Sequence, residues 1–326
     1  MRALIVVGCV ALAASVGGIV EACGSSTSTF DGGDGSLVGN DGAADAPGFG
    51  TDGAQNDGNA SCNPPDMLVV LDHTDSMSDS PNGTKPADTD AGEALTKWVL
   101  ACDAVTAVTA PPADQGLRFG LELFPLDPDV ITDAGGTGHC ETLSGLLSGN
   151  ASTNTQCMPA EVLVSPNVAT GTQIGGILDP LTLKLCVSTP IAAALATAQQ
   201  ALAQIAVPSR KQFILLVTDG GETCVGAAEV ISTAQGLAAA GIDTYVVGFG
   251  AADAGAKGVN VPLLNDLSCA GMTASGFSTN CVKGDGGEYV ASAPNGPPLF
   301  FAAEDGASLQ LALSTVTKGV CCGCVH

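Results

Sequence analysis

Two short runs in this chain are continuously apolar for five residues and are bounded by polar ones, Asp66-Met-Leu-Val-Val-Leu-Asp72 and Gln212-Phe-Ile-Leu-Leu-Val-Thr218. A strand with one wet face alternates apolar and polar residues. These runs do not alternate, so they read as strands buried on both faces, the pattern of a parallel sheet covered by helices. Leu117–Phe124 and Ile242–Phe249 read as further strands, and Glu161–Val164 as a short third strand in chain order.

Helical stretches lie between them. Ala91–Thr109 carries Leu95, Val99, Cys102, Val105 and Val108 near helical spacing, and Pro111-Pro112 ends it. Ser188-Thr189-Pro190 opens a helix through Ala206, with Pro in the first turn and Thr as the cap. Ala227–Ala240 is closed by Gly241 at the C-terminal stop position. Val261–Ala270 and Asp305–Val316 complete the longer helices, with a short one at Thr172–Leu178 and an edge strand at Gly287–Val290. Strands alternating with helices predict an α/β fold, a doubly wound, mostly parallel sheet with helices on both faces.

The N-terminal part reads differently. Met1-Arg2 is a short positive region and Ala3–Val20 is apolar and small, so residues 1–22 read as a signal peptide. A membrane anchor is the alternative, at the low edge of the length needed to span. Val20-Glu21-Ala22-Cys23 resembles the bacterial lipobox, which makes Cys23 the lipid acceptor; Glu21 departs from that pattern. Residues 23–61 are rich in Gly, Asp, Ala and Asn, without periodicity. Such a segment cannot bury enough surface to offset its ordering entropy, and it reads as an acidic tether. The expected domain is residues 62–326, with a loop insertion at about 125–160.

The net charge is −23, from 10 Lys+Arg against 33 Asp+Glu. That balance repels phosphate backbones and anionic headgroups and excludes nucleic acid as a natural partner. Aromatic residues make up 4% of the chain, so the core must be aliphatic.

Thirteen cysteines point to an oxidising compartment. Setting aside Cys9 and Cys23 leaves eleven, an odd number, so one thiol is free or pairs elsewhere. Cys140 and Cys157 lie in one long loop, and we expect them to staple it. Cys224 and Cys269 are expected to pair, with Cys281 as competitor. Cys-Cys-Gly-Cys-Val-His at the C-terminus could hold zinc, but its spacing matches no usual zinc pattern.

In doubly wound sheets, ligands bind beyond the carboxyl ends of the strands. Asp72 and Asp219 directly follow the two buried runs. In an extended Asp72-His73-Thr74-Asp75-Ser76 loop, Asp72, Thr74 and Ser76 turn the same way and His73 turns away. All three offer oxygen, which hard cations prefer. Asp75 is expected to face solvent, the alternative being that it strengthens cation binding.

These residues resemble the metal-ion-dependent adhesion site of von Willebrand factor type A domains. That site has an Asp-x-Ser-x-Ser element after the first strand, then a Thr, then an Asp. Here the elements are Asp72-x-Thr74-x-Ser76, Thr189 in Ser-Thr-Pro, and Asp219 in Val-Thr-Asp-Gly. The resemblance covers about residues 62–318. It implies that Thr74 and Ser76 bind Mg²⁺ (or Mn²⁺ or Ca²⁺) directly. Asp72 and Asp219 would act mainly through water, and Thr189 directly or through water. It also implies a tie between the domain's ends, Cys62 with one of Cys321, Cys322 and Cys324.

With the expected signal peptide, Cys23 and acidic tether, the chain would be a cell-envelope-tethered module, and by the resemblance it would bind a protein partner that offers the metal an Asp or Glu. The alternatives are a structural envelope protein with a vestigial metal site and a metal-assisted hydrolase. Against the hydrolase, the chain has no His-Glu-x-x-His, no Gly-x-Ser-x-Gly and no phosphate-binding Gly-x-x-x-x-Gly-Lys-Ser/Thr. Specificity would come from the loops Asp79–Asp90, Cys140–Cys157 and Glu222–Gly226.

Overall fold

The structure, a computed structural model, describes residues 63–126, 139–153, 157–252 and 258–320. All of them lie in the second of two contact units, Asp45–His326. The expected signal peptide, the tether, Cys23, Cys62 and the C-terminal cysteines lie outside the described residues. No described helix is long and apolar enough to cross a membrane.

In chain order the elements are β1 (Asp66–Asp72), α1 (Asp90–Glu93), α2 (Lys97–Thr109), β2 (Arg118–Phe124), β3 (Glu141–Thr142), α3 (Leu143–Leu147), β4 (Glu161–Asn167), α4 (Gly171–Ile177), β5 (Lys184–Leu185), α5 (Ile191–Ile205), β6 (Gln212–Thr218), α6 (Ala227–Ala239), β7 (Ile242–Phe249), α7 (Val261–Ala270), α8 (Phe277–Asn280), β8 (Cys281–Lys283), β9 (Tyr289–Ala291), β10 (Phe301–Ala303) and α9 (Gly306–Val320). The main sheet has the order β10-β7-β6-β1-β2-β4. Every pairing in it is parallel except β2 with β4. The doubly wound α/β fold is therefore the observed one.

The two apolar runs became central strands because both of their faces are covered. Met67, Val69 and Leu71 of β1 join one core with Trp98, Ala101 and Val105 of α2 and Leu309 and Leu313 of α9. Leu68 and Val70 join the other core, with Leu195 and Ala198 of α5, Val230 of α6 and Leu264 of α7. Each buried Leu or Val contributes about 1.5–3 kcal/mol, and alternation along β1 shares that burial between both layers.

β4 runs against the parallel grain, with register irregularities against β2. Gly120 permits its approach: a Cβ there would lie 2.7 Å from Val164 O and from Pro166 Cδ. Pro166 lacks an N–H, which suits an edge strand. At the amino end of the sheet, buried Asp66 accepts from Arg118 Nε at 2.7 Å, and Arg210 Nη1 lies 3.8 Å from it.

Several expectations need correction. The helix expected over Ala91–Thr109 is two: Thr89 accepts from Gly92 N and caps α1, and Thr96 accepts from Val99 N and caps α2. The edge strand expected at Gly287–Val290 is β9, which pairs with β8 in a separate hairpin. The sheet's real edges are β10 and β4.

The cysteine pairing also differs. The Cys140–Cys157 staple does not form; the bonds are Cys140–Cys186 and Cys157–Cys224. The antiparallel register of β3 and β5 sets Glu141 opposite Leu185 and carries Cys140 to Cys186. Cys224–Cys269 does not form either, and Cys269 bonds Cys281. Cys224 follows the carboxyl end of β6, whereas α7 returns to the amino end of the sheet, where Gly271 O accepts from Thr244 N. Among the described residues Cys102, buried in α2, is the free thiol.

Glu122 of β2 is fully buried between Val70 of β1 and Val162 of β4, and neither carboxyl oxygen has a hydrogen-bond partner. Burial pushes its pKa up to about 9 from 4.5. The folded state thus keeps a proton that the unfolded chain releases, and stability falls as pH rises between those values. Replacing Glu122 by Gln should raise stability at pH 8 by about 1–3 kcal/mol, with the gain shrinking toward zero near pH 4. Urea unfolding across pH measures this; parallel pH profiles for the two proteins would refute it.

Candidate metal centre

Parallel pairing of β1 and β6 sets Leu71 beside Val217. The next residues, Asp72 and Thr218, are therefore neighbours at the carboxyl end of the sheet. Thr218 Oγ1 donates to Asp72 Oδ2 at 2.6 Å, and Thr74 N donates to Asp72 Oδ1 at 3.0 Å. The second bond is the local turn that Asp favours, its carboxylate receiving the N–H two residues on.

Beyond Asp72 the chain stays extended through Thr74, which bridges to Cys186 in parallel fashion. It then tightens into a 3₁₀ turn over Asp75–Ser78. The expected fully extended loop thus stops at Thr74. The turn still brings Thr74 Oγ1 within 2.8 Å of Ser76 Oγ. Ser76 Oγ donates to Asp219 Oδ1 at 2.9 Å. Asp72, Thr74, Ser76 and Asp219 therefore lie side by side at the ends of β1 and β6.

Thr189 sits on an adjoining loop, and no direct bond joins its side chain to the other four. Its N–H donates to Thr223 Oγ1 at 2.7 Å, and its carbonyl accepts from Thr223 N at 3.2 Å. It is not the helix cap expected of it. α5 begins at Ile191, with Pro190 in the cap position and no capping side chain there. Glu222 serves that end instead: its Oε2 accepts from Ala192 N at 2.9 Å, while Oε1 accepts from Cys224 N and Val225 N. The Thr189 hydroxyl, expected both to cap α5 and to hold the ion, is thus not engaged as a cap.

The electrostatics of the corner are strained. Burial, and then the nearby Asp219 charge, push Asp72 up to about 7, against the hydrogen bonds from Thr218 and Thr74. Asp75 is half-buried rather than turned to solvent, and burial is the main cause of its raised pKa; Lys85 opposes the shift, while Asp219 and Asp79 add to it. His73 is buried with its ring 5.8 Å from that of Trp98.

Lys97, the first residue of α2, is fully buried, and its Nζ donates to Asp219 Oδ2. Sequence reasoning missed it, along with Glu222 and Thr223. One signal was available, a lone Lys directly before the apolar stretch Trp-Val-Leu-Ala-Cys; that it heads a helix, at the positive end of the dipole, is visible only in the structure. Such a residue calls for a carboxylate facing it.

The donor set tests whether a metal fits. Among the described residues no three of His, Cys, Asp and Glu gather into a metal-holding group. What does gather is two carboxylates and two hydroxyls, oxygen only, with Thr189 on the next loop. That set fits a hard cation such as Mg²⁺ and not a soft one.

No family model matches the chain, and no curated protein matches it. Solved structures do. The chain is similar to proximal thread matrix protein 1 from the mussel byssus, at 13% identity and a TM-score of 0.46 over 80% of this chain. It is similar to the PilB minor pilin from Streptococcus sanguinis, at 12% identity and a TM-score of 0.48 over 79% of this chain and 62% of that one. It is also similar to a von Willebrand factor type A structure from Catenulispora acidiphila, at 14% identity and a TM-score of 0.42 over 79% of this chain and 43% of that one. The chain spans about half, 48%, of the length of the byssus protein.

Proposed function

We propose that residues 62–326 form a von Willebrand factor type A module that binds protein partners through a divalent cation. The observation that carries this reading is the oxygen cluster at the carboxyl ends of β1 and β6, where Thr74 Oγ1, Ser76 Oγ and Asp219 Oδ1 form one bonded chain beside Asp72. Asp72, Thr74, Ser76, Thr189 and Asp219 would hold the ion, Mg²⁺ or alternatively Mn²⁺ or Ca²⁺. When bound, it supplies a positive centre with an affinity for an Asp or Glu carboxylate of the partner, because neutral hydroxyls leave its charge incompletely compensated.

The protein's own residues do the positioning. Thr218 and the Thr74 N–H hold both oxygens of Asp72. Thr223 holds the backbone of Thr189, and Glu222 anchors the start of α5 beside it. The Asp79–Asp90, Cys140–Cys157 and Glu222–Gly226 loops would select the partner. Three disulfides among the described residues support an oxidising compartment. With the apolar N-terminus and Cys23, they support export and a tethered place in the cell envelope.

Hydrolysis has less support than binding. A single hard cation among hydroxyl ligands is poorly equipped to generate hydroxide. The alternative of a structural envelope protein with a vestigial site has one observation in its favour, the Lys97 ammonium seated on Asp219.

Titration calorimetry with Mg²⁺ or Mn²⁺ should give one site with a Kd on the order of 0.1–1 mM, as in extracellular cation-binding modules. Asp72→Ala and Asp219→Asn should each weaken it at least about tenfold. Absence of binding, or affinity unchanged in both variants, would refute the site. Capture of envelope and extracellular proteins should depend on the ion. If EDTA leaves the captured set unchanged, metal-dependent adhesion is wrong.

A further inference from the structure

A buried lysine at the head of a helix is costly twice over. Its ammonium leaves water, and its charge meets the positive end of the helix dipole. Lys97 bears both costs: its side chain is fully covered, and it is the first residue of α2, capped by Thr96. Such a cation persists only where an anion buried with it compensates. Here that anion is Asp219, whose Oδ2 receives Lys97 Nζ while Oδ1 receives Ser76 Oγ. Asp219 is 1% exposed and Asp72 is fully covered, so two carboxylates and one ammonium share a dry corner, with half-buried Asp75 close enough to feel the charges of Asp219 and of buried Asp79.

We propose that Lys97 is a built-in cation of this site, which competes with the divalent ion for Asp219 and so sets its affinity. This rests on reading Asp72, Thr74, Ser76, Thr189 and Asp219 as the cation site. Two consequences follow from charge alone. An incoming divalent ion meets one ammonium beside two carboxylates and binds more weakly than to the carboxylates by themselves. The corner also stays partly compensated when no ion is bound, so the fold depends less on metal. Lys97 thereby makes the site reversible: the ion can leave with one of the two buried carboxylates still paired.

The test compares wild type, Lys97→Met and Lys97→Gln in the full chain, by Mg²⁺ calorimetry and by thermal unfolding in EDTA and in Mg²⁺. Gln keeps a donor toward Asp219 without the charge, so it remains informative if the Met variant fails to fold. Both variants should bind Mg²⁺ about ten- to a hundredfold more tightly than wild type. Their melting temperatures should drop in EDTA and recover with Mg²⁺ by clearly more than that of wild type, whose weaker binding supplies a smaller gain at the same Mg²⁺ concentration. If wild type and variants bind equally, or wild type loses as much stability in EDTA as they do, the role of Lys97 is refuted while the metal site stands. If the variants bind and wild type does not, the role of Lys97 stands and metal-dependent adhesion by the native chain falls. Binding by none of the three overturns both.

Discussion

The parallel register of β1 against β6 forces two carboxylates into one buried corner, and the carboxyl end of the sheet is organised around that. With Leu71 opposite Val217, Asp72 must emerge beside Thr218, and Asp219 follows one residue on. Neither carboxylate can reach bulk water: they are fully covered and 1% exposed. Burial penalises an ionised carboxylate in this dry site, and the nearby Asp219 charge adds to the penalty, which is why Asp72 is pushed up to about 7. The surrounding groups answer that penalty. Thr218 and the Thr74 N–H donate to Asp72, and Ser76 and Lys97 donate to Asp219. A divalent cation would act on the same imbalance more strongly than any of them.

How much of this could be read from the chain depends on how local each cause is. β1 and β6 have the bounds that their apolar runs predict, because residues of both parities meet a core: Met67, Val69 and Leu71 on one side, Leu68 and Val70 on the other. The break between α1 and α2 was not legible. Lys97 N donates to Asp79 O and Thr96 turns to cap α2, a choice made by a loop packed against that end and not by helical periodicity. The antiparallel pairing of β4 was equally hidden, since the close approach of Val164 and Pro166 to Gly120 joins residues far apart in the chain and leaves no local pattern. β10 has three residues, too few for any period to show.

The site divides in the same way. Asp72, Thr74 and Ser76 were legible because one short loop carries them, and Asp219 because it ends a strand. Thr189 was legible as a position but misread as a cap, because the group that serves α5 comes from Glu222, 30 residues away. Lys97 reaches Asp219 across a separation of 122 residues. Its position before an apolar stretch pointed to burial, but the helix head and the partner were both hidden by the unread break between α1 and α2. The disulfides failed for a related reason. Proximity in sequence favoured Cys140 with Cys157, but the β3–β5 register carries Cys140 to Cys186 and leaves Cys157 for Cys224.

That rearranged pairing places a crosslink beside each half of the site. Cys186 O accepts from Asp75 N and Cys186 N donates to His73 O, so the Cys140–Cys186 bond lies against the loop carrying Thr74 and Ser76. Cys224 follows Glu222 and Thr223, the residues that hold α5 and Thr189, so the Cys157–Cys224 bond fixes that side. The loops beyond the strand ends reach a core at only a few points, Met77 in the turn after Thr74 and Leu143 and Leu185 beside the Cys140–Cys186 bond. Covalent ties restrict them in the unfolded chain as well as in the folded one. Part of the entropy of ordering the proposed ligands is thus lost before any ion arrives, and such preorganisation would favour binding by a small set of neutral hydroxyls.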